Sequence, residues 1–340
     1  MNECSICVNE SINPCTQIGK DGLCEVCRGF QANFDDDQRR IDLGQLKSFI
    51  GSGRYRYDVL VGMSGGKDSS CAALKLKELG FDPLGFTFDI GYYPPHIFSR
   101  AKEMADRIGI SHVRINIRHQ ISPAHIESYR LTEELYDRKY REFLDFNSVQ
   151  FIQQYVNNRE NYSVKYSNPM AYARTCILCR KIVIPSYHQQ ALMRGIKLVV
   201  LGMNEWASLS KETGIQRLSG IRKLRPPGCD AVYVAHLPFI LGLKKADVQS
   251  VLQEIGWTQP DGESFVESNA NSCLLAAAAE DKAIKMLGFH PDITRLAREV
   301  TVGFITKEEA KQALQKDHGI KYSVADVLKE AQISQQYYRG

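Results

Sequence analysis

The sequence predicts an α/β protein: a doubly wound parallel sheet, preceded by a small cysteine-rich unit and followed by a mainly helical region. Between residues 57 and 202, short apolar segments alternate with amphipathic ones, as in parallel strands joined by helices. Cys-x-x-Cys pairs precede this part, and helical spacing of apolar residues dominates after residue 237. We therefore predict three domains, over residues 1–45, 50–236 and 237–340.

Composition narrows the class of protein. A chain of 340 residues is long enough for two or three domains. Its 43 basic and 39 acidic residues give a net charge of +4, which permits a nucleic-acid or phosphorylated partner without requiring one. No apolar run approaches the roughly 20 residues of a membrane helix, and no signal pattern begins the sequence. We therefore expect a cytoplasmic protein with no membrane partner.

Four cysteines near the N-terminus have the spacing of a zinc knuckle. Two Cys-x-x-Cys pairs, separated by 16 residues, supply the candidate ligands Cys4, Cys7, Cys24 and Cys27. The alternative is a set of buried free thiols. Zn²⁺ is favoured because thiols at this spacing form a poor apolar core but a good tetrahedral ligand set, and the segment has too few apolar residues to fold alone.

The predicted elements follow the apolar spacing in chain order. Strands are predicted over residues 59–63, 84–90, 112–117 and 197–201. Helices are predicted over 69–79, 96–108, 133–154 and 181–193, and then over 246–255, 274–287 and 307–314. Thr306 and Glu309 predict a capping box at the start of the last helix. Cys71 lies at helical spacing within the first helix, which predicts a core position.

The segment Ser64–Ser69, Ser-Gly-Gly-Lys-Asp-Ser, joins the first strand to the first helix. Glycines let main-chain amides approach an anion closely, and the helix that follows directs its positive end at the same place. Lys67 adds a cation. Asp68 would be out of place beside a bare phosphate but fits a site shared with Mg²⁺. The alternative is an ordinary glycine-rich turn.

This segment resembles the SGGxDS loop of the PP-loop ATP pyrophosphatase superfamily (N-type). The resemblance implies an adenine nucleotide alpha hydrolase-like fold, with ATP and Mg²⁺ as ligands. It implies that Ser64, Gly65, Gly66, Lys67, Asp68 and Ser69 hold the pyrophosphate of ATP while a substrate oxygen attacks the α-phosphorus. Lys67 and Asp68 are the candidate catalytic residues of the loop.

Two later strand ends supply further candidate ATP ligands, because doubly wound sheets bind ligands at the carboxyl ends of their strands. Asp89 ends the second predicted strand, and Gly202 and Asn204 follow the fourth. An acid after a strand is also common as a helix cap, so both roles remain open for Asp89.

A second group of cysteines suggests the chemistry that follows activation. Cys176 and Cys179 begin a predicted helix, where the helix dipole and Arg174, Arg180 and Lys181 are expected to lower a thiol pKa. With the later Cys273 they match the ligand count of an iron–sulfur cluster with one open iron, such as [4Fe-4S]. A persulfide-carrying pair also fits. The alternative is a structural zinc completed by Cys229 or Cys273.

The cysteine trio is similar to that of PP-loop tRNA thiolases, and the knuckle points to the TtuA-type among them. This resemblance implies sulfur insertion, a sulfur donor and a tRNA substrate, with Cys176 and Cys179 as catalytic residues. The segments "CSICVNE…GLCEVCRGF" and "LQEIGW…GESFVES…ITKEEAKQAL" instead look like N-acetyl sugar amidotransferases. Those imply ammonia from a glutaminase partner and a nucleotide-sugar substrate. Sulfur is favoured because the sugar enzymes do not need the trio.

Basic and aromatic residues are interleaved between residues 138 and 181, and a second basic run lies between 217 and 225. Such a mixture suits phosphates and stacked bases. Acids occur there as well, so a solvated helix face is favoured over a nucleic-acid face. The oligomeric state stays open, with a homodimer among the alternatives.

Overall fold

The computed structural model describes residues 3–13, 16–121, 126, 175–210, 214–261, 263–268, 271–316, 319 and 322–337. The helix predicted over 133–154 and most of the basic, aromatic segment lie outside the described residues. Among the helices of the described part, none is long and apolar enough to cross a membrane.

The described strands form one large sheet and one small ribbon. In chain order they are β1 (Val59–Gly62), β2 (Pro83–Asp89), β3 (Ser111–Asn116), β4 (Leu198–Leu201), β5 (Ser208–Ser210), β6 (Arg217–Ser219), β7 (Ile221–Leu224) and β8 (Val232–His236). The large sheet has six strands in the order β3-β2-β1-β4-β8-β7. Its strands pair in parallel except for β7, which runs antiparallel to β8. Strands β5 and β6 form an antiparallel ribbon.

Helices flank the sheet and make up much of the described chain before β1 and after β8. Those described are α1 (Glu25–Asn33), α2 (Asp36–Lys47), α3 (Lys67–Glu78), α4 (His96–Ile108), α5 (Thr175–Met193), α6 (Leu237–Leu241), α7 (Lys245–Glu254), α8 (Leu274–Leu287), α9 (Ile293–Thr301), α10 (Lys307–Gln315) and α11 (Val324–Tyr337). A short 3-10 helix spans Arg118–Gln120.

The predicted α/β class with a mostly parallel sheet is confirmed. The four predicted strands correspond to β1 to β4, and six predicted helices correspond to α3, α4, α5, α7, α8 and α10. The capping box at Thr306 and Glu309 is present, since each side chain accepts a hydrogen bond from the other's main-chain amide. Cys71 is fully buried, as expected of a core position. The structure adds β5 to β8 and the helices α1, α2, α6, α9 and α11.

The hydrophobic cores cross the predicted domain boundaries. One buried cluster contains the four knuckle cysteines, Cys71 of α3, Val251 of α7 and Leu296 of α9. A second cluster joins the sheet residue Phe88 to Ala279 of α8 and Leu328 of α11. The N-terminal knuckle therefore packs on α3, α7 and α9, whereas α8 and α11 pack on the sheet. The divisions at residues 45 and 236 remain predictions.

The order of the sheet determines where a ligand can bind. The connections run outward from β1 to β2 and β3, whereas β4, β8 and β7 lie on the other side of β1. The strand order therefore reverses between β1 and β4. In doubly wound sheets, ligands bind in the crevice outside the carboxyl ends of the strands at such a point. Gly62 and Leu201, the last residues of β1 and β4, both line a cavity there.

Candidate functional site

The glycine-rich segment forms the turn between β1 and α3. Gly66 is the N-cap of α3, and the helix begins at Lys67. The amides of Lys67, Asp68 and Ser69 belong to the first helical turn and so have no intrahelical acceptor. Two further amides donate within the turn, Ser64 N to Ser69 Oγ at 3.2 Å and Gly66 N to Ser64 Oγ at 3.3 Å. These long bonds to mobile hydroxyls leave a nest of donors that suits an anion.

Two glycines make this turn possible. Gly65 has a φ of +71°, and a Cβ there would lie 2.5 Å from the main-chain carbonyl carbon of Arg100 in α4. At Gly202, after β4, a Cβ would lie 2.4 Å from the Asp68 carbonyl oxygen and 2.7 Å from the Ser69 amide nitrogen. The end of β4 therefore touches the first turn of α3 directly, and only glycine permits this approach.

The side chains of Lys67, Asp68 and Asn204 lie together at the start of α3. Lys67 Nζ contacts the Asp68 carboxylate, and Asn204 Nδ2 donates to Asp68 Oδ1 at 3.2 Å. Among the described residues, Asn204 Oδ1 is buried and has no hydrogen-bond partner. Amide and carboxylate oxygens are ligands that a hard divalent cation prefers. Asn204 is not among the described residues that line the cavity, however, and both Asp68 oxygens are already bonded, so the Mg²⁺ site stays a prediction.

Asp89, the remaining candidate ATP ligand, lies apart from this group. It is buried at the end of β2, where Arg118 Nε binds Oδ1 at 2.9 Å and Arg114 Nε binds Oδ2 at 3.0 Å. Burial alone would raise the pKa of Asp89, but the two guanidinium groups lower it below its ordinary value. Asp89 is not among the described residues that line the cavity at the glycine-rich segment. Its observed contacts are those of a structural ion pair.

The chain after α7 covers the glycine-rich segment. Trp257 Nε1 donates to the Gly65 carbonyl oxygen at 3.0 Å. Glu263 pairs with Arg100 of α4 at 3.2 Å, and the Lys67 ammonium lies 5.3 Å from the centre of the Phe265 ring. Two of these contacts join residues 163 and 192 positions apart, so local spacing in the sequence could not predict them.

A single cavity of about 700 Å³ connects the glycine-rich segment with the second cysteine group. Its lining includes Lys67 and Ser69 on one side and Cys176, Cys179 and Cys273 on another. Cys176 and Cys179 are three residues apart in α5 and therefore lie on one face of that helix. Cys273 is the N-cap of α8, where its sulfur accepts a hydrogen bond from the Ala276 amide at 3.5 Å.

The predicted lowering of the thiol pKa in this group is wrong. Burial raises the pKa of Cys179 to about 12, even though Tyr92 donates a hydrogen bond to its sulfur at 3.4 Å. Burial and the neighbouring Cys176 and Cys179 raise the pKa of Cys273 well above its usual value. Desolvation in the cavity wall outweighs the nearby cations and the helix dipole. At neutral pH Cys179 and Cys273 are protonated until a metal displaces the protons.

The sequence analysis did not predict an ion pair that lies in the cavity wall. Glu205 Oε2 binds Arg298 Nη1 at 2.7 Å, and both residues line the cavity. Burial would raise the pKa of Glu205, but Arg298 and the buried His236 lower it to about 2. Arg298 belongs to α9, whose apolar residues recur at helical spacing. That spacing could have revealed the helix, but nothing in it indicates which cations face the cavity.

The N-terminal cysteines form a separate and much tighter group. The sulfur atoms of Cys4, Cys7, Cys24 and Cys27 all lie within 4.8 Å of one another, and all four residues are buried. Cys7 and Cys24 have sulfurs 3.5 Å apart, and Cys4 and Cys27 have sulfurs 3.7 Å apart. A tetrahedral zinc with Zn–S bonds of about 2.3 Å places its sulfur ligands roughly 3.8 Å apart. The geometry therefore fits a metal such as zinc, and the predicted convergence of these four residues is confirmed.

Main-chain and side-chain donors support the sulfur atoms. The Cys24 amide donates to Cys4 Sγ at 3.3 Å, and Asn9 Nδ2 donates to Cys24 Sγ at 3.3 Å. Cys24 is also the N-cap of α1, where its sulfur accepts from the Cys27 amide. Donors directed at sulfur favour thiolates and are typical of metal-binding cysteines. The group has the features of a closed structural site, since all four positions are protein ligands.

Comparison with known proteins gives little further guidance. No protein-family model matches the chain. The chain is similar to an uncharacterized protein of Methanocaldococcus jannaschii, with 22% identity over 322 residues. The match covers 92% of this chain and 93% of that protein. Any functional conclusion must therefore come from the site itself.

Proposed function

We propose that this protein is a PP-loop ATP pyrophosphatase that adenylates a substrate oxygen and then replaces that oxygen with sulfur. One observation carries the proposal: the glycine-rich segment and the three half-buried cysteines line the same cavity. An anion nest and a thiol group that open on one space can act on one substrate in succession.

The nucleotide half of the proposal rests on the segment Ser64–Ser69. Its amides and the N-terminus of α3 receive the β- and γ-phosphates, and Lys67 balances the charge that develops as pyrophosphate leaves. Asp68 and the unpartnered Asn204 Oδ1 would hold Mg²⁺, which neutralises phosphate oxygens when bound. The Ser64 and Ser69 hydroxyls accept from loop amides, and Ser69 Oγ also donates to the Gly66 carbonyl oxygen at 3.0 Å, so Ser69 would have to exchange that bond for one to a phosphate oxygen.

The sulfur half rests on Cys176, Cys179 and Cys273. Their number and their common cavity wall fit three ligands of an iron–sulfur cluster, and a cluster held by three cysteines leaves one iron open for a sulfur atom. Tyr92 donates a hydrogen bond to Cys179 Sγ at 3.4 Å, which helps to hold that sulfur in the cavity wall.

The proposed reaction has two balanced steps. A carbonyl oxygen of the acceptor attacks the α-phosphorus of ATP, forming a C–O–P bond while the bond to pyrophosphate breaks. Sulfur at the oxidation level of sulfide, from a sulfur donor, then adds to the same carbon. The C–O bond breaks, AMP leaves with the former substrate oxygen, and the sulfur loses its proton to solvent. The acceptor, with tRNA among the candidates, is not identified by the described residues.

The test is anaerobic reconstitution with iron and sulfide. Wild-type protein is expected to bind both and to become brown, whereas Cys176→Ala and Cys273→Ala are expected to lose the colour and most of the bound iron. ATP affinity, measured by calorimetry, should stay within about twofold in both variants, because both cysteines lie outside the glycine-rich segment. A twofold change corresponds to less than about 1 kcal/mol. Cys229→Ala, which removes an exposed thiol, is the matched control. Failure of wild-type protein to bind iron would contradict the sulfur half.

One observation favours a second function, the ATPase half of an N-acetyl sugar amidotransferase. One of the segments that carry that resemblance, LQEIGW…GESFVES, packs over the glycine-rich segment, with Trp257, Glu263 and Phe265 in the cavity lining. In this case nitrogen would replace the oxygen, and a glutaminase partner would supply ammonia. AMP formation that depends on ammonium and proceeds without iron would favour this function over sulfur insertion.

A further inference from the structure

The N-terminal cysteine group contacts the helix that forms one wall of the cavity. Cys27 Sγ lies 3.2 Å from Thr301 Oγ1, at the end of α9, and the Thr301 hydroxyl donates to the Ala297 carbonyl oxygen at 2.7 Å. A metal-bound thiolate at Cys27 can only accept, so it would draw the Thr301 proton to its sulfur. At the other end of the same helix, Asn13 Nδ2 donates to Thr294 Oγ1 at 3.4 Å. Thr294 and Arg298, both in α9, line the cavity. The knuckle is therefore attached to α9 near both of its ends.

A second line of contacts runs through Trp206. This residue follows the end of β4, and its ring lies 5.8 Å from that of Phe30, in α1 one turn after Cys27. On the other side, the Arg298 guanidinium lies 5.3 Å from the centre of the Trp206 ring. Trp206 thus lies between the metal-binding helix and a cation of the cavity wall.

The cation at the end of this line is available to a ligand. Arg298 uses Nη1 to bind Glu205 and stacks on Trp206, yet 32% of its side chain remains exposed and the residue lines the cavity. A guanidinium has five N–H donors in a fixed fork. An anionic group of a bound ligand can therefore accept from the donors that stay exposed to the cavity.

We infer that the knuckle metal positions Arg298, through Thr301 and Trp206, so that metal binding and anion binding in the cavity favour each other. Thr301 and Trp206 are positioning residues in this inference, since they touch the metal ligand or the cation but not the reacting atoms. The identity of the anion as ATP rests on the proposed function, but the position of Arg298 does not. Linkage then requires that ATP tighten metal binding by the same factor by which the metal tightens ATP binding.

The first experiment uses no ligand and measures the emission of Trp206, the ring on which Arg298 stacks. The chain contains two tryptophans, so Trp257→Phe leaves Trp206 as the sole tryptophan, which is excited selectively over the tyrosines at long wavelength. Removal of the metal with a chelator is expected to shift Trp206 emission to longer wavelength and to increase quenching by acrylamide. In metal-loaded protein, Thr301→Val should give part of the same change and Thr301→Ser almost none, because serine keeps the hydroxyl. Unchanged emission after metal removal would overturn the inference.

The second experiment measures the coupling with ATP as the probe. Metal-loaded wild-type protein is expected to bind ATP about tenfold more tightly than stripped protein, within the usual range of coupling between sites. Metal-loaded Trp206→Leu should bind ATP about tenfold more weakly while retaining its metal, and Trp206→Phe should keep most of the affinity. Equal ATP affinity in loaded and stripped protein would overturn the coupling. If ATP does not bind the loaded protein at all, the proposed function fails, and Trp206 emission alone decides the inference.

Discussion

Gly202→Ala is expected to weaken ATP binding by at least about 100-fold. The added methyl group would lie 2.4 Å from the Asp68 carbonyl oxygen and 2.5 Å from the Asp68 carbonyl carbon, both of which are main-chain atoms. Since no side chain can rotate away, the first turn of α3 must move by about an ångström relative to β4. Displacements of that size at a binding constellation cost on the order of 100-fold, and the forced packing costs about 1–3 kcal/mol of stability.

The measurement is calorimetric titration with ATP together with urea unfolding. Gly44→Ala is the matched control, because a Cβ at this helical glycine in α2 would meet nothing within 4 Å. That variant should bind ATP like the wild type and gain up to about 1 kcal/mol of stability, as glycine-to-alanine changes in helices do. Wild-type ATP affinity in Gly202→Ala would show that contact between β4 and α3 does not shape the nucleotide site.

Removal of the metal from the N-terminal cysteine group is expected to destabilise much more than the knuckle. Cys24→Ser keeps an N-cap for α1 but removes one of four thiolate ligands. Structural zinc supplies roughly 10 kcal/mol or more to small zinc-dependent domains. Loss of about 5 kcal/mol would lower Tm by about 10 °C in a protein of this size. The effect should reach α7 and α9, because both share a core with the cysteines.

Metal analysis and thermal unfolding of Cys24→Ser, with Cys229→Ser as the control, test this expectation. The wild type and Cys229→Ser should each carry one zinc per chain in the knuckle, and Cys24→Ser should carry little. Hydrogen exchange should show loss of protection in α9 as well as in α1. A Cys24→Ser protein with wild-type Tm and exchange would mean that the four buried sulfurs are a thiol core rather than a metal site.

Local signals made much of this fold predictable. Strands β1, β2 and β4 are short, largely apolar runs, and β3 alternates apolar and polar residues. The helices between them carry apolar residues at regular spacing, so both periods were visible. The glycine-rich segment could be placed because glycines followed by a helix start have one strong physical interpretation, as an anion nest. The knuckle was visible because ligand spacing is itself a local property.

Other parts depend on contacts that local patterns do not carry. Strands β5 to β7 have three or four residues each and alternate weakly, so their pairing depends on the neighbouring chain. Helix α9 does have apolar residues at helical spacing, so the helix itself was predictable from Ile293, Leu296, Ala297 and Val300. Which of its polar residues would face the cavity could not be read from the sequence.

The candidate site shows the same division. Asn204 was predicted to lie near the glycine-rich segment because both follow the carboxyl ends of parallel strands. Its contact with Asp68 agrees with that prediction. The protonation state of the thiols did not follow, because it depends on how deeply Cys179 and Cys273 are buried in the folded cavity wall. Trp257 and Arg298 were not predicted as site residues. Trp257 contacts Gly65 and Arg298 contacts Glu205, and both contacts join segments that are far apart in the sequence.

The most direct test of the central claim is a crystal structure of the protein with a non-hydrolysable ATP analogue and Mg²⁺. The account predicts the β- and γ-phosphates within about 3 Å of the amides of residues 65–69, with the metal beside Asp68 and Asn204. The α-phosphorus should face the part of the cavity that Cys176 and Cys273 line. A triphosphate bound elsewhere, or loop amides still occupied by the Ser64 and Ser69 hydroxyls in the complex, would contradict it.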